Sequence, residues 1–238
     1  MGQVTRRLFL KASLVFGFLS ALPLRAWGFF LRSLQVRTVE RQDFMFDSKT
    51  GLIRWSKKGK TEPYRLVVDG LVNEPLSLSY TDLLDLPQVT QLSDFHCVEG
   101  WSVKDLRWSG FRFSEIVKKT KPKPEARYAI FHALGTTRSR PGGLDHYVES
   151  LPLARLLDPE RECLLALSLE GKALTDQHGA PLRLISPYDL GYKGTKFLRK
   201  IEFSDRERPG WWTEANPIYP SEAPVPEDRL RKRPGMRL

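Results

Sequence analysis

A mixed α+β fold, mostly β with short helices, is predicted by three features of this 238-residue sequence. Apolar runs are short and alternate with polar residues, which is the period of a half-buried strand. Seventeen glycines and seventeen prolines separate these runs and indicate many turns. The helix-like segments are short and do not alternate regularly with the strands, so the rhythm of a doubly wound parallel sheet is missing.

The predicted strands begin at residue 64, where apolar and polar side chains alternate up to an Asp-Gly turn. A short second strand and a helix follow, and a longer strand then leads directly into Cys97. Later strands are apolar runs bounded by glycine, proline or charged residues. In chain order, strands are predicted over residues 64–70, 76–78, 89–96, 105–110, 127–134, 144–150, 162–167, 182–185 and 197–203.

The predicted helices are short. Ser79 can accept a hydrogen bond from the first turn of a helix that ends before Pro87. Residues 114–119 place Ile116 on an apolar face, which is typical of a helix that packs on a core. Residues 153–157 form a helical turn after a proline, which is a favoured residue at a helix start.

Two divisions of the chain are predicted. Residues 1–35 form an export signal or a membrane anchor, and residues 36–238 form one folded domain. Within that domain, residues 36–62 are polar and turn-rich, so we expect the core to span about 64–205. The remaining residues, 206–238, are rich in proline and aromatic side chains and are predicted to pack along the surface.

The N-terminal segment has the pattern of an export signal. Arg6 and Arg7 precede Phe-Leu-Lys and an apolar run over residues 12–24, which resembles a twin-arginine signal. This pattern predicts export to the periplasm. The apolar run is shorter than the roughly 20 residues that span a bilayer, and it is not followed by a clear Ala-x-Ala cleavage site. Retention as an uncleaved membrane anchor is therefore an open alternative.

Charge and motifs exclude several classes of protein. The net charge is +10, and about half of the excess comes from the first 35 residues, which contain no acidic side chain. The other charges are scattered along the chain, so no nucleic-acid partner is predicted. The sequence contains no P-loop, no dinucleotide-binding glycine motif and no nucleophile elbow.

A reactive cysteine is predicted where the strand over residues 89–96 ends. Cys97 is followed by Gly100, which allows close approach of the backbone. A soft thiolate suits a polarisable metal, and a single protein ligand implies that a cofactor supplies the others. A zinc site that includes His96 is an alternative, although neighbouring strand residues point to opposite faces. We interpret Cys163 as a core residue, and a disulfide between the two cysteines stays open.

Two later segments have the composition of an anion site. Arg183 follows His178 by five residues in a stretch that contains glycine and proline. Residues 191–196 supply backbone amides, the Thr195 hydroxyl and two lysines. Amide and cationic donors in a tight loop form short, strong hydrogen bonds to phosphate. The pattern predicts a phosphate-binding loop, and the alternative is a pair of solvated lysines at a strand end.

The cysteine stretch, Phe-His-Cys-Val-Glu-Gly-Trp-Ser, and the two later segments resemble the molybdopterin-binding domain of the sulfite oxidase family. The resemblance covers roughly residues 65–212. It is closest to the branch that includes the periplasmic protein-methionine-sulfoxide reductase catalytic subunit. It implies a sulfite-oxidase-type molybdopterin-binding fold and a molybdenum–molybdopterin cofactor within the catalytic domain, residues 36–238. The haem and dimerisation domains of true sulfite oxidases are not recognised, and the oligomeric state is left open.

The resemblance also implies roles for individual residues. Cys97 is implied as the catalytic residue and as the thiolate ligand of the molybdenum. The residues implied to bind the pterin and its phosphate are His132, His178, Arg183, Gly194, Thr195 and Lys196. The related reductase has Asn at the position of His178. Its aromatic segment ahead of the domain has no clear match in residues 40–46.

The implied activity is oxygen-atom transfer by an exported molybdopterin-dependent oxidoreductase, with reduction of an S-oxide as the favoured reaction. The substrate would be a small-molecule or peptidyl oxide. Electrons would come from a membrane haem or quinone-linked donor, since no haem or flavin motif is recognised. Oxidation of a small substrate such as sulfite is the first alternative. A non-catalytic binding domain and a zinc- or disulfide-stabilised extracytoplasmic domain are the others.

Overall fold

The computed structural model describes residues 39–41, 43–56 and 59–231. The predicted signal or anchor over residues 1–35 lies outside the described residues and stays a prediction. Within the described ranges, no helix combines the length and the apolar character that a membrane span requires. The α+β prediction is confirmed, because this part of the chain consists mainly of short strands in three sheets, with a few short helices.

The elements follow one another with mostly short connections, and most of them were predicted. The strands are β1 (Phe44–Asp47), β2 (Leu52–Trp55), β3 (Thr61–Pro63), β4 (Arg65–Gly70), β5 (Leu76–Ser79), β6 (Gln88–His96), β7 (Ser102–Arg112), β8 (Tyr128–Ala133), β9 (Val148–Pro152), β10 (Leu164–Leu169), β11 (Lys172–Ala173), β12 (Arg183–Ile185) and β13 (Leu198–Ser204). The α-helices are α1 (Tyr80–Leu84), α2 (Phe113–Thr120), α3 (Leu153–Leu157) and α4 (Trp211–Ala215).

The larger hydrophobic core packs against a five-stranded sheet in the order β5-β4-β13-β8-β9. Its neighbouring strands are antiparallel except β13 and β4, which run parallel. Along β13, Ile201 and Phe203 are buried, whereas Lys200 and Glu202 are partly exposed. Successive strand residues point to opposite faces, so one face of this sheet is apolar and the other carries charged groups.

A second sheet carries the predicted cysteine. Its order is β11-β10-β7-β6, and β12 also pairs with β10. Strands β6 and β7 form an antiparallel hairpin in which His96 pairs with Ser102. Cys97 therefore lies in the turn of this hairpin, directly after the strand that was predicted to lead into it.

Strand β7 is longer than predicted, because Gly110 pairs within the sheet and does not end the strand. Gly110 lies opposite Ala166 of β10. A Cβ atom at this position would lie 2.0 Å from the carbonyl oxygen of Leu165, so no side chain fits. This glycine marks a close approach of two backbones and not a turn.

Helix α1 begins at the predicted residue. The Ser79 hydroxyl accepts a hydrogen bond from the Asp82 amide, and the Asp82 carboxylate accepts one from the Ser79 amide. The pair satisfies amides that have no partner within the first helical turn. The helix ends at Leu84, shortly before Pro87 prevents its continuation.

The observed core includes residues before position 64, where the predicted core, residues 64–205, begins. The residues before it form a three-stranded sheet of β1, β2 and β3. Phe44 and Ile53 of this sheet are buried, and the Phe44 ring packs edge-on against Phe197 with a centroid distance of 5.4 Å. The sequence indicated loops here because strands of three or four residues are too short to show a clear period.

The predicted core also ends too early. Trp211 in α4 is buried, and its indole N–H donates to the Thr137 hydroxyl. Ala223 and Val225 are buried as well. The prediction of a surface tail over residues 206–238 is therefore wrong for these positions. Isolated apolar residues in an irregular segment carry no periodicity from which their burial could be predicted.

Candidate functional site

The Cys97 turn, residues 97–101, is closed by two backbone hydrogen bonds. The Cys97 amide donates to the Trp101 carbonyl at 2.9 Å, and the Gly100 amide donates to the Cys97 carbonyl at 3.1 Å. Gly100 has a φ of +95°, which side chains disfavour. The thiol is partly buried, and this desolvation raises its pKa. The geometry presents a sulfur at the end of a rigid hairpin.

His96, the neighbour of Cys97, makes its contact within the hairpin. Its ring is buried and its Nδ1 lies 2.8 Å from the Ser102 hydroxyl on the paired strand. Burial lowers the pKa of His96, which favours the neutral ring. In the ranges described by the structure, no three His, Cys, Asp or Glu side chains form a group that could hold a metal, and both cysteines are free thiols.

A cleft joins the cysteine hairpin to the two later segments. Its cavity volume is about 20 Å³, and it is lined by residues 94–96 together with Trp108, Arg183 and Gly194. The cysteine hairpin and the segment over residues 191–196 are also in direct contact, because a Cβ atom at Gly191 would lie 2.2 Å from the Phe95 ring. The fold therefore brings together segments that lie almost 90 residues apart in the sequence.

Arg183 is a buried cation in this cleft. Its guanidinium carbon lies 5.0 Å from the centre of the Trp108 ring, and its Nη1 donates to the His178 carbonyl at 3.0 Å. Its Nε is buried without a hydrogen-bond partner in the structure. Burial lowers the pKa of Arg183 to about 10, and the Glu40 carboxylate acts in the opposite direction.

Two further donors lie on the adjacent segment. The Lys196 ammonium and the Thr195 hydroxyl are buried without a hydrogen-bond partner in the structure. Burial lowers the pKa of Lys196 to about 8. The Thr195 carbonyl accepts from the Leu184 amide, so this segment is fixed beside Arg183. Buried donors without partners are costly, and an anionic group such as a pterin phosphate would satisfy all three. The residues therefore fit the implied cofactor.

His178 and Gly194 complete this group. The His178 Nδ1 lies 2.9 Å from the Thr175 hydroxyl, and burial is the largest cause that lowers the pKa of His178. Gly179 contacts Lys196 so closely that a Cβ atom would lie 2.8 Å from the lysine side chain. A Cβ atom at Gly194 would lie 2.9 Å from the Leu184 carbonyl. Both glycines let backbone segments approach where the pattern predicted an anion site.

Glu40 is a site residue that the sequence did not reveal. Its carboxyl is buried and interacts electrostatically with Lys196 and Arg183. Burial raises the pKa of Glu40, while the two cations act to lower it. Glu40 forms a β-bridge with Thr137, and its carboxyl is close enough to Lys196 and Arg183 to interact with both charges. No local pattern could have indicated this, because Glu40 and Arg183 are far apart in the sequence.

Lys193 does not belong to the anion site. Its ammonium is buried and pairs with the Glu149 carboxylate at 2.5 Å. A Cβ atom at Gly210 would lie 1.9 Å from the Glu149 Oε1, so the pair is tightly enclosed. The two lysines of residues 191–196 thus have different environments, and neither is a solvated side chain at a strand end.

His132 lies on the charged face of the five-stranded sheet. Its Nδ1 is 2.9 Å from His146 Nε2, and its Nε2 is 3.2 Å from a Glu202 carboxylate oxygen. Its hydrogen bonds therefore lead to these two residues and not to Arg183 or Lys196. The structure brings the other predicted cofactor residues together, while a cofactor contact of His132 stays a prediction.

We expect His132→Gln to reduce the loss of stability at acid pH. Burial, followed by the charge of His146, lowers the pKa of His132 to about 4 in the folded protein, below the usual 6.5. As the pH falls, the unfolded chain binds a proton at His132 before the folded protein does. The stability that depends on a neutral His132 is therefore complete above pH 6.5 and is lost as the pH falls to about 4. Urea unfolding should show that the unfolding free energy falls between pH 7 and pH 4.5 by about 2 kcal/mol more in the wild type than in His132→Gln. Equal losses would contradict the prediction.

The comparisons with known proteins show the family to which the chain belongs. Residues 54–212 match the family described as oxidoreductase molybdopterin binding domain. The match covers more than half of the chain, so the chain belongs to this family of oxidoreductases, which bind a molybdopterin cofactor. The predicted resemblance to the sulfite oxidase family is confirmed.

Two curated relatives are similar to the chain in sequence, and one solved structure is similar to it in fold. It is 37% identical over 149 residues to the uncharacterized oxidoreductase YuiH of Bacillus subtilis, covering 63% of this chain and 69% of that protein. It is 33% identical over 175 residues to the protein-methionine-sulfoxide reductase catalytic subunit MsrP of Ralstonia nicotianae, covering 71% and 52%. The sulfane dehydrogenase SoxCD of Paracoccus pantotrophus superposes with a TM-score of 0.53 at 20% identity, covering 74% and 50%. The chain thus spans about half the length of the last two.

Proposed function

We propose that this chain is an exported molybdenum-cofactor enzyme that transfers an oxygen atom and reduces an S-oxide. The carrying observation is the group of buried donors without hydrogen-bond partners on Arg183, Thr195 and Lys196. Arg183 lines the cleft that also contains His96, the residue before Cys97. The positive charges of Arg183 and Lys196, and the burial of all three donors, suit a phosphate that is fully removed from water. In this proposal residues 1–35 direct export to the periplasm or anchor the chain, and residues 36–238 form the catalytic domain.

Some of the proposed cofactor contacts supply charge or hydrogen bonds, and others allow the backbone to approach closely. Arg183 and Lys196 neutralise the phosphate, and the Thr195 hydroxyl donates a further hydrogen bond. Gly194 allows the backbone to approach closely. His178 is held by Thr175 and contacts the pterin as a neutral ring, because its pKa is lowered. We assign His132 as a further contact, on the sequence resemblance alone.

Cys97 is the proposed protein ligand of the metal. When bound, the molybdenum–molybdopterin cofactor supplies two-electron redox chemistry at a metal that can gain or lose an oxygen atom. Cys97 must give up its proton to bind, and burial opposes this step by raising its pKa. The hydrogen-bonded turn holds the sulfur, and the exposed Trp101, which packs against Phe95, contributes an apolar wall beside it.

The direction of the reaction is supported by the relative that is named as a methionine-sulfoxide reductase subunit. The proposed substrate is a small-molecule or peptidyl oxide, and the proposed electron donor is a membrane haem or quinone-linked protein. Oxidation of sulfite is the second candidate, because the family resemblance extends to sulfite oxidases. Reduced viologen with dimethyl sulfoxide or a peptidyl sulfoxide, and ferricyanide with sulfite, would distinguish the two directions.

The proposal predicts about one molybdenum and one molybdopterin per chain when the protein is produced in a host that makes the cofactor. Cys97→Ser should change the molybdenum EPR signal and abolish turnover, because the thiolate is the only ligand supplied by the protein in this proposal. Cys163→Ala is the matched control, since Cys163 is buried in the core and should leave the signal unchanged. Zinc, or no metal and no pterin, would overturn the proposal.

A further inference from the structure

The C-terminal strap, residues 219–231, lies outside the part of the chain that matches the family, which ends at residue 212. It nevertheless runs along both halves of the candidate site. On the later segments, the Leu190 amide donates to the Ala223 carbonyl at 2.8 Å, and the Val225 amide donates to the Tyr188 carbonyl at 3.0 Å. These bonds fix the strap beside the residues that precede Lys193.

Beyond Val225 the strap reaches the Cys97 turn. Arg229 donates from Nη1 to the Cys97 carbonyl at 3.0 Å and from Nη2 to the Trp101 carbonyl at 2.7 Å. The same Nη2 lies 3.0 Å from the Ser102 hydroxyl. The two carbonyls belong to the first and last residues of the turn, so a single guanidinium spans it from end to end.

These carbonyls are also the acceptors that close the turn. The Gly100 amide donates to the Cys97 carbonyl, and the Cys97 amide donates to the Trp101 carbonyl. Each carbonyl therefore accepts one bond from within the turn and one from Arg229. The planar fork of arginine holds two acceptors at a fixed separation, which the single ammonium of lysine does less well.

Arg231 provides an internal comparison. It binds the same hairpin, but through side chains, with Asp94 at 2.6 Å and Asp105 at 2.8 Å. Its side chain is exposed, and its three hydrogen bonds go to these carboxylates and not to the backbone of the Cys97 turn. The strap thus has one arginine that attaches it to the hairpin and another that holds the turn itself.

We propose that Arg229 is a positioning residue for Cys97, fixing the turn so that the sulfur is held in one orientation toward the molybdenum. This inference rests on the proposed role of Cys97 as the metal ligand. It makes the C-terminal strap part of the site, although the strap lies outside the family domain. Replacing Arg229 should loosen the turn and alter the metal environment without removing any atom that touches the metal.

Hydrogen exchange in the full-length protein tests whether Arg229 fixes the Cys97 turn. In Arg229→Gln, the amides of Cys97 and Gly100 should exchange about tenfold faster than in wild type, because their shared acceptors lose the guanidinium. Arg231→Gln should change these rates less than twofold, since Arg231 binds the Asp94 and Asp105 carboxylates and not the two carbonyls that accept from these amides. Arg229→Lys should recover part of the protection. Unchanged exchange in Arg229→Gln, or an equal increase in Arg231→Gln, would overturn the inference.

The molybdenum EPR signal of the loaded protein tests whether Arg229 affects the metal environment. We expect Arg229→Gln to shift or broaden the signal, Arg229→Lys to restore it in part, and Arg231→Gln to leave it as in wild type. If Cys97→Ser changes the signal and Arg229→Gln does not, the positioning role is wrong and the proposed function stands. If Cys97→Ser itself leaves the signal unchanged, the proposed ligand is wrong, and this inference falls with it.

Discussion

Lys196→Met should stabilise the protein prepared without cofactor and weaken its retention of molybdopterin. The wild-type ammonium is buried without a hydrogen-bond partner in the structure, so the hydrogen bonds that it makes to water in the unfolded chain are not replaced on folding. Methionine has a similar length and no charge to desolvate. The same charge is what we propose to neutralise the pterin phosphate, so its removal should reduce molybdopterin per chain at least tenfold after gel filtration.

The stabilisation should depend on pH in a defined direction. The pKa of Lys196 is lowered to about 8 in the folded protein, from 10.5, chiefly by burial. The unfolded chain binds the proton more tightly, so the penalty is complete below pH 8 and disappears above pH 10.5. Lys196→Met should therefore gain about 3 kcal/mol in unfolding free energy near pH 7, and this gain should fall as the pH rises toward 10.

Urea unfolding at pH 7, 8.5 and 10 measures this dependence. Lys200→Met is the control, because Lys200 is partly exposed and pairs with Asp69 on the sheet face away from the core. It should alter stability by less than about 1 kcal/mol and leave molybdopterin content unchanged. A cofactor-free Lys196→Met protein that is less stable than wild type at pH 7 would contradict the environment assigned to this lysine.

Much of the fold could be predicted because its signals are local. The Ser79 cap, the strand that leads into Cys97 and the core position of Cys163 each depend on a few neighbouring residues, and the structure agrees with all three. The two segments predicted to bind the cofactor were recognised because the residues within each are close in sequence. The structure places Arg183 and Lys196 near each other, and their binding of a cofactor stays a prediction.

The residues that were missed act over long distances. Glu40 lies in a stretch interpreted as loop, but it pairs with Thr137 and interacts electrostatically with Arg183 and Lys196. Arg229 lies in a tail interpreted as surface and crosses to the Cys97 carbonyl. Neither position has periodicity or a motif. The roles of Glu40 and Arg229 depend on contacts with residues that are distant in the sequence. The sequence around each residue does not indicate these contacts.

Lys193→Met should destabilise the protein by about 3 to 5 kcal/mol, the opposite of the effect expected three residues later at Lys196. The substitution leaves the Glu149 carboxylate buried beside Gly210, with no cation to compensate its charge. Burial already raises the pKa of Glu149 to about 7, and Lys193 acts against that rise. Without the lysine the pKa should rise further, and the carboxyl should bind a proton near neutral pH.

The loss should therefore be larger at pH 8 than at pH 5. A carboxyl with a raised folded pKa destabilises the protein above that pKa, and the penalty disappears below the ordinary value of about 4.5. Lys193→Met combined with Glu149→Gln should recover much of the loss, because the uncompensated charge is then absent. Urea unfolding of the single and double variants at both pH values measures the coupling. If Lys193→Met and Lys196→Met change stability in the same direction, one of the two lysines has been assigned to the wrong environment.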